Sequence, residues 1–473
     1  MLPKLVPAGQ TPATDNTVFV TDSEKVRQAR AMVEEDLLID HPIDCPICDK
    51  AGECYLQDYH FAHGRDQRRA DIRPFTSRRR DVGPTVTLFV DRCIMCTRCV
   101  RFTREISGDS ELMVIHRGSH EEIDAFPGYP LDNKLAGNVV DLCPVGALGD
   151  KDFLYQQRVW FMNRHANVCA GCSTGCSIFV EENQDHVYRL KPRTNPHVNG
   201  WWMCDEGRYG YHHVHSHKRL TEPERRGAKG FEPVDWSAAL GQIDQAMRAA
   251  GRVAAVLSPH LTVEEAFLLA EFARQVDPQA MIALGPAPVN GEDEQFKGGF
   301  TIRAEKCPNR RGVAEIVGHY MGRAATIDDV AAAVAAGDVP AVWVSGGYKT
   351  DWIDDESTQS LAAAKLLVVQ DAFDSPLAAA ATYRLPGATF AEREGSYVNF
   401  AGRLQSFRWA VRPPAGVRSE GSTYWELLGR TGLYKAPRVL EELAAGISYF
   451  APTLDGVGPE GIDLTAKALV ESQ

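Results

Sequence analysis

The sequence has no run of about eighteen apolar residues, so it offers no helix long enough to cross a bilayer. Its opening, Met1-Leu2-Pro3-Lys4, lacks the charged-then-apolar layout of a secretory leader. Positive charge is in deficit: 51 Lys and Arg stand against 63 Asp and Glu. The formal net charge of −12 argues against a diffuse nucleic-acid-binding role. There is no low-complexity segment and no regular repeat. Cysteine is almost missing from the second half, where only Cys307 lies beyond Cys204.

What is present is an ordinary soluble composition, 44% apolar and 24% charged, over 473 residues, enough for two or three domains. The other eleven cysteines crowd between Cys45 and Cys204. Many cysteines in a short secreted chain read as a disulfide framework. In a long chain without a leader, tight cysteine groups read better as thiolates that ligate metal, and cytoplasmic placement is expected.

Val26, Ala29, Val33 and Leu37 recur at helical spacing, and Thr21 with Glu24 resembles a capping box, so residues 21–39 are expected to be an amphipathic helix. It ends near His41-Pro42. The Arg-rich stretch 64–80 (Arg65, Arg68, Arg69, Arg73, Arg78, Arg79, Arg80) is expected to be loop, and Thr85 to Val90 a strand. Beyond about residue 222, apolar runs alternate with helical patterns. Strands are expected over 252–257, 339–344 and 366–370. Helices are expected from Thr262-x-x-Glu265, a second capping box, to about Val276, and over 358–365. This alternation points to a parallel α/β sheet. Residues 285–303 read as a long loop, and the tail from 452 as poorly ordered.

Three cysteine groups carry the chemistry. His41-x3-Cys45-x2-Cys48-x5-Cys54 fits an iron–sulfur cluster with one imidazole in place of a thiolate, and also fits a zinc site. Cys93-x2-Cys96-x2-Cys99, followed by Cys143-Pro144, has the ferredoxin rhythm of a [4Fe–4S] site. A backbone wound tightly between such ligands aims amide N–H groups at the sulfurs. Arg92, Arg98, Arg101 and Arg104 surround this group, as charge compensation or as a solvated face. Cys169-x2-Cys172-x3-Cys176, with Cys204 further on, suits another cubane cluster, with a zinc ribbon as the alternative. The histidine-rich run Tyr211 to His217 reads as a solvated loop. Cys307 stands alone and reads as a buried inert thiol. Ser345-Gly346-Gly347 after a strand is a weak phosphate-loop signal.

Three segments now resemble one family. They are Asp44-Cys45-Pro46-x-Cys48-Asp49-x-Ala51-Gly52-Glu53-Cys54, Arg92-Cys93-Ile94-x-Cys96-x-Arg98-Cys99-Val100-Arg101-Phe102, and Asn138-Val139-Val140-Asp141-Leu142-Cys143-Pro144-Val145-Gly146-Ala147-Leu148. They look like the large iron–sulfur subunit of NADH:quinone oxidoreductase, respiratory complex I. The resemblance implies a [4Fe–4S] cluster on His41, Cys45, Cys48 and Cys54, and another on Cys93, Cys96, Cys99 and Cys143. Both belong to the wire from flavin toward quinone. It implies a third, off-path cluster on Cys169, Cys172, Cys176 and Cys204. From 165 onward the chain is similar to molybdopterin oxidoreductases, with Phe390-Ala391-Glu392-x-Glu394-Gly395, Asn399 and Gly402-Arg403 resembling their pterin-region signature. In complex I that domain is a scaffold without molybdenum. Here Asp205-Glu206-Gly207-Arg208 follows Cys204, where active enzymes often place a lysine near the cluster.

The implied architecture is an α+β iron–sulfur region over 1–160, a small [4Fe–4S] domain over 161–221, and a shortened α/β molybdopterin-oxidoreductase-like domain with a parallel sheet over 222–473. The segment Leu2 to Pro12 looks like the end of the family's ferredoxin-like [2Fe–2S] domain, with Gly9 where the last cluster cysteine would stand. The expected cofactors are therefore three [4Fe–4S] clusters, without [2Fe–2S] and without molybdenum. The implied partners are a flavin- and NADH-binding subunit and quinone-side iron–sulfur subunits, with membrane contact only through them, at the inner face of the cell membrane. Alternatives are an electron-transfer subunit of a hydrogenase or formate dehydrogenase, a molybdenum oxidoreductase with Cys307 as the only remaining cysteine ligand, and a zinc scaffold.

Overall fold

The computed structural model describes residues 5–465 except 68, 74, 75, 77, 119 and 351. Leu2, Pro3, Lys4, Arg68 and the tail beyond Thr465 lie outside the described residues. The chain falls into two compact units, Met1–Met162 and Asn163–Gln473.

The first unit is short elements joined by long connections. Helix α1 (Glu24–Leu37) is capped by Ser23, whose hydroxyl accepts from the Val26 N–H at 3.3 Å. Thr21, the expected cap, sits exposed before that turn. Val33 is also exposed, and the buried residue of α1 is Glu34, whose carboxyl burial pushes above its usual range against the charges of His60 and His63. Helix α2 (Tyr55–His63) follows, then the strands β1 (Arg79–Asp81) and β2 (Val86–Phe89). Next come α3 (Arg98–Phe102), the hairpin β3 (Leu112–Ile115) and β4 (Glu122–Ala125), α4 (Asn138–Leu142) and β5 (Leu148–Asp150). β2 is the centre of an antiparallel sheet ordered β1-β2-β5 and is buried along its whole length. Four of the described arginines of the 64–80 stretch are spent locally. Arg65 and Arg69 pair with Glu35, Arg78 with Asp91 and Glu122, and Arg80 with Glu122 and Asp124.

The second unit opens with an antiparallel sheet of β6 (Asn163–Val168), β7 (Ser177–Asn183) and β8 (His186–Pro192), then the single turn α5 (Asp205–Arg208). A hairpin, β9 (Glu224–Gly227) and β10 (Gly230–Pro233), leads into α6 (Trp236–Ala250), β11 (Val253–Leu257), α7 (Val263–Val276) and β12 (Met281–Leu284). The expected capping box of α7 is present: Thr262 and Glu265 each accept the other's backbone N–H. The connection over 285–303 carries one two-residue pairing, β13 (Glu294–Gln295) with β14 (Thr301–Ile302). Then follow α8 (Arg310–Met321), α9 (Ile327–Ala335), β15 (Ala341–Ser345), α10 (Asp355–Ala362), β16 (Leu366–Asp371), α11 (Pro376–Ala380) and β17 (Tyr383–Pro386). α10 starts earlier than expected because Asp354 caps it, accepting from the Ser357 N–H at 2.7 Å.

The main sheet is mixed, ordered β10-β9-β17-β16-β15-β11-β12. Five strands run parallel, and β11, β15 and β16 are buried throughout, as a sheet covered on both faces demands. The chain lays β12 on one side of β11, then returns to lay β15 on the other. That makes the β11–β15 gap a topological switch point. β18 (Gly395–Val398) and β19 (Arg403–Phe407) form a hairpin, followed by α12 (Glu420–Leu427) and α13 (Ala436–Gly446). The tail is more ordered than expected up to 465: β20 (Ile462–Asp463) pairs with β19.

Trp343 of β15 lies fully buried between Phe272 of α7 and Tyr424 of α12, edge-on to both rings at 6.1 and 5.7 Å. Trp343→Ala is expected to cost about 3–5 kcal/mol, read as a lower urea midpoint for this unit.

Candidate metal centres

The first cysteine group is built by two turns and a helix start. Asp44 accepts from the N–H groups of Ile47 and Cys48, both at 2.8 Å, which winds the Cys45–Cys48 turn. Gly52 has φ +87, and a Cβ there would lie 2.8 Å from Val159 Cγ2, so the return to Cys54 needs glycine. Cys54 is the residue before α2. His41, Cys45 and Cys54 line one cleft of about 500 Å3. The Cys48 thiol does not line it, yet it feels the charges of Cys45 and Cys54, so the three thiols share one electrostatic neighbourhood. Burial lowers the His41 pKa, the Arg92 charge adds to that, and Asp44 opposes it. A neutral imidazole results, and its Nδ1 is buried with no hydrogen-bond partner. A buried, unspent ring nitrogen beside three thiols is the donor set that a metal group completes.

The second group lies on a backbone bent by two left-handed residues that are not glycine, Met95 at φ +53 and Thr97 at φ +58. The winding aims the Met95 N–H at Cys93 Sγ, 3.4 Å away. Cys99 enters on the first turn of α3, and Cys143 leaves the end of α4 in extended conformation just before Pro144. Cys93, Cys96, Cys99 and Cys143 line one void, walled by Leu88, Ile123 and Val145. Burial, then the charges of neighbouring thiols, pushes Cys99 up to about 12; burial pushes Cys93 up to about 11. Of the four arginines nearby, Arg98, Arg101 and Arg104 are exposed. Arg92 is buried and bonded to Asp44 at 2.9 Å.

That ion pair joins the two groups, and three further contacts do the same. The Tyr55 N–H donates to the Pro144 carbonyl at 3.0 Å, and Lys50 Nζ donates to the Val140 carbonyl at 3.2 Å. A Cβ on Gly146 would lie 2.1 Å from Cys48 Sγ. Glycine at 146 therefore lets the loop after Cys143 touch a sulfur of the first group.

The third group is the most enclosed. Cys169 directly follows β6 and donates its N–H to the Cys176 carbonyl at 2.8 Å. Cys204 caps α5, its sulfur accepting from the Gly207 N–H at 3.3 Å, and the Gly171 N–H points at Cys169 Sγ at 3.4 Å. All four cysteines are buried and line one void with Phe300 and Ile302. A Cβ on Gly207 would lie 3.1 Å from Cys169 Sγ. Burial and mutual charge push Cys176 and Cys204 well above the usual thiol range, and Cys169 up to about 11. Two lysines from the α/β part face this group, which its own motif did not foretell. The Lys349 charge opposes the rise at Cys169, and Lys306, paired with Glu206 at 2.6 Å, feels the charges of Cys172 and Cys204.

Among the described residues, no three His, Cys, Asp or Glu side chains close on one point as a single ion requires. The thiols of the second and third groups line voids instead, which suits a body with several metal atoms. Cys307 is fully buried. The histidine run is not a solvated loop throughout: His215 Nε2 accepts from the Val187 N–H at 2.9 Å, and His213 is half-buried.

Comparison with known proteins falls on these same segments. Residues 30–69 match the NADH-ubiquinone oxidoreductase-G iron-sulfur binding region, and residues 83–149 the ferredoxin-like domain of NADH-quinone oxidoreductase subunit 3. Residues 162–216 match the molybdopterin oxidoreductase Fe4S4 domain, and residues 310–430 molybdopterin oxidoreductase. The G subunit of NADH-quinone oxidoreductase from Rickettsia felis is 35% identical over 269 residues, 56% of this chain and 40% of that protein. Over slightly more than half of its length, the chain is similar to the NADH-quinone oxidoreductase G subunits. The Streptomyces coelicolor G subunit is 35% identical over 55% of this chain and 32% of its own length. The Solanum tuberosum mitochondrial protein named NADH dehydrogenase [ubiquinone] iron-sulfur protein 1 is 39% identical over 52% and 33%. The chain thus spans about 40% or less of the length of these relatives. A chain of a solved NAD+-reducing [NiFe]-hydrogenase is 31% identical over 29% of this chain and 60% of its own, with a TM-score of 0.26, too low to bear on the fold.

The Gly146 contact gives a direct test. Gly146→Ala is expected to push Cys48 out of place and to lower iron by about four per chain, leaving the Cys93 set loaded. Full iron content in that variant would show that Cys48 does not need the contact.

Proposed function

We propose that this chain is the iron–sulfur electron-transfer subunit of a complex I-like NADH:quinone oxidoreductase. Its work is one-electron hopping among three [4Fe–4S] clusters, from a flavin subunit toward quinone, with no substrate site of its own. The observation that carries this reading is the placement of each four-ligand set inside a segment that matches an iron–sulfur family region. Cys93, Cys96, Cys99 and Cys143 would hold the entry cluster, His41, Cys45, Cys48 and Cys54 the next, and Cys169, Cys172, Cys176 and Cys204 the third. Voids lined by thiols, with backbone N–H groups aimed at sulfur, support a cluster over a lone zinc ion.

The clusters supply the redox chemistry; the chain's part is to tune and insulate them. Burial removes water, Arg92 places a positive charge between the first two sites, and N–H groups offset charge on sulfur. His41 as a neutral ligand leaves its cluster less negative than four thiolates would. The contact at Gly146 brings a sulfur of one site against the loop of the other, which favours transfer between them.

The α/β part is proposed to be a scaffold without molybdenum. The signature carboxylates are spent on structure: Glu392 is buried against Arg219, and Glu394 accepts from the Ala436 N–H at 2.9 Å. The cavity next to Cys169, at Ala170, has about 20 Å3, against roughly 300–1,000 Å3 for a site of cofactor size. No helix among the described residues is long and apolar enough to cross a membrane. Attachment at the inner face of the membrane is proposed to run through the flavin-side and quinone-side partner subunits.

Anaerobically purified chain should carry about twelve iron and as much sulfide, with neither zinc nor molybdenum. Zinc in place of iron would end the redox reading, and stoichiometric molybdenum would make the α/β part a catalyst. His41→Cys should keep its cluster and lower its potential, because a thiolate adds negative charge. A redox titration followed by electron paramagnetic resonance checks this, and an unchanged midpoint would remove His41 from the ligand set.

A further inference from the structure

The α/β part reaches the third cysteine group at two places. The first is the turn over 172–176. There the Ser173 N–H donates to the Glu305 carbonyl at 2.9 Å, and Thr174 Oγ1 donates to the Thr301 carbonyl at 3.1 Å. Those bonds set Lys306, the residue after Glu305, beside the group, where its Nζ donates to Glu206 Oε2 at 2.6 Å. The second is the turn over 204–210. Lys349, in the connection after β15, donates its Nζ to the Gly210 carbonyl at 3.2 Å. A Cβ on Gly210 would lie 3.3 Å from that Nζ, so glycine leaves the amine its place. Lys349 and Ala170, the residue after Cys169, line one small cavity.

Both amines lie in the field of the sulfurs. Lys306 is half-buried and feels the charges of Glu206, Cys172 and Cys204. Lys349 is an exposed residue, but its amine is drawn inward. Burial lowers its pKa, and the charges of Cys169, Glu206, Cys172 and Cys204 oppose that fall. The cavity beside it has about 20 Å3, room for about one water to screen the charge. Glu206 is the counterweight. It pairs with Lys306, and its charge adds to the rise at Cys169 and Cys204. Of these three side chains, two are cations and one is a carboxylate. A cluster held by four thiolates is negative and takes on a further negative charge when reduced, so an excess cation nearby favours the reduced form.

We propose that Lys349 and Lys306, set against Glu206, fix the reduction potential of the third site and raise it above what its four thiolates alone would give. The α/β part then does more than brace the small domain, because it supplies the charge that tunes the site. The three side chains act through space and are not ligands. Their role rests on the cluster proposed above at Cys169, Cys172, Cys176 and Cys204.

A redox titration followed by electron paramagnetic resonance, on the full chain purified anaerobically, tests this. Cys204→Ala, which should lose about four iron, identifies the signal of the third site. Lys349→Met should keep its iron and shift that reduction equilibrium about tenfold toward the oxidised form, about 59 mV lower for one electron. Lys349→Arg keeps the charge and should leave the midpoint in place. Lys306→Met should lower the midpoint, and Glu206→Gln, which removes a negative charge, should raise it. A disturbance of packing alone would not change sign with charge, so Glu206→Gln decides even where Lys349→Met loses its cluster. A Glu206→Gln midpoint that stays put or falls would overturn the role of these charges and leave the cluster standing. So would equal falls in Lys349→Met and Lys349→Arg. An unsubstituted chain without iron at the third site would overturn the cluster reading itself, and the tuning with it.

Discussion

Cysteines packed side by side away from water resist ionising, and the molecule is organised around that resistance. Burial and mutual repulsion push the thiols of Cys93, Cys99, Cys143, Cys169, Cys176 and Cys204 above their solution range. Thiolates become stable there only when a cationic body shares the void and the backbone turns its N–H groups inward. The left-handed residue Met95, the short turn after Cys204 and the glycines at 146 and 207 all answer that one requirement. The two glycines let main chain approach sulfur more closely than a side chain would permit.

The α/β part spends its buried charge differently. Arg219 with Glu392, and Arg393 with Glu265 and Glu420, are closed pairs deep in the packing. Such pairs contribute little net stability, but breaking one strands a charge, so they hold geometry firmly. They fix the segment that resembles a pterin-binding signature as framework, and they leave a few donors over at the strand ends.

The cysteine groups are legible in the sequence because ligand type and short spacing are local properties. The same holds for the α7 capping box and the apolar strands β11, β15 and β16, where one strong signal meets no competitor. Ser23 takes the place of Thr21 as a cap because two hydroxyls lie within three residues, and only backbone conformation chooses between them. Val33 is exposed because α1 turns Glu34 inward, toward His60 and His63, against its apolar pattern. The pairing of Arg92 with Asp44, the inward turn of Lys349 and the contact at Gly146 are not legible at all. Each joins residues tens to hundreds of positions apart, and no periodicity records such a meeting. His213 and His215 pass for surface in the sequence because a histidine run looks polar until its neighbours are known.

The bond from Lys50 to the Val140 carbonyl spans ninety positions of chain, and the Tyr55 bond to Pro144 closes almost the same ring. Closing a loop of that length costs chain entropy once, however many ties are made across it. The first two sites therefore draw on a single ordering event, and whichever is completed first lightens the entropic burden of the other. In thermodynamic language they are linked binding sites, coupled through the unfolded chain as much as through any field between them.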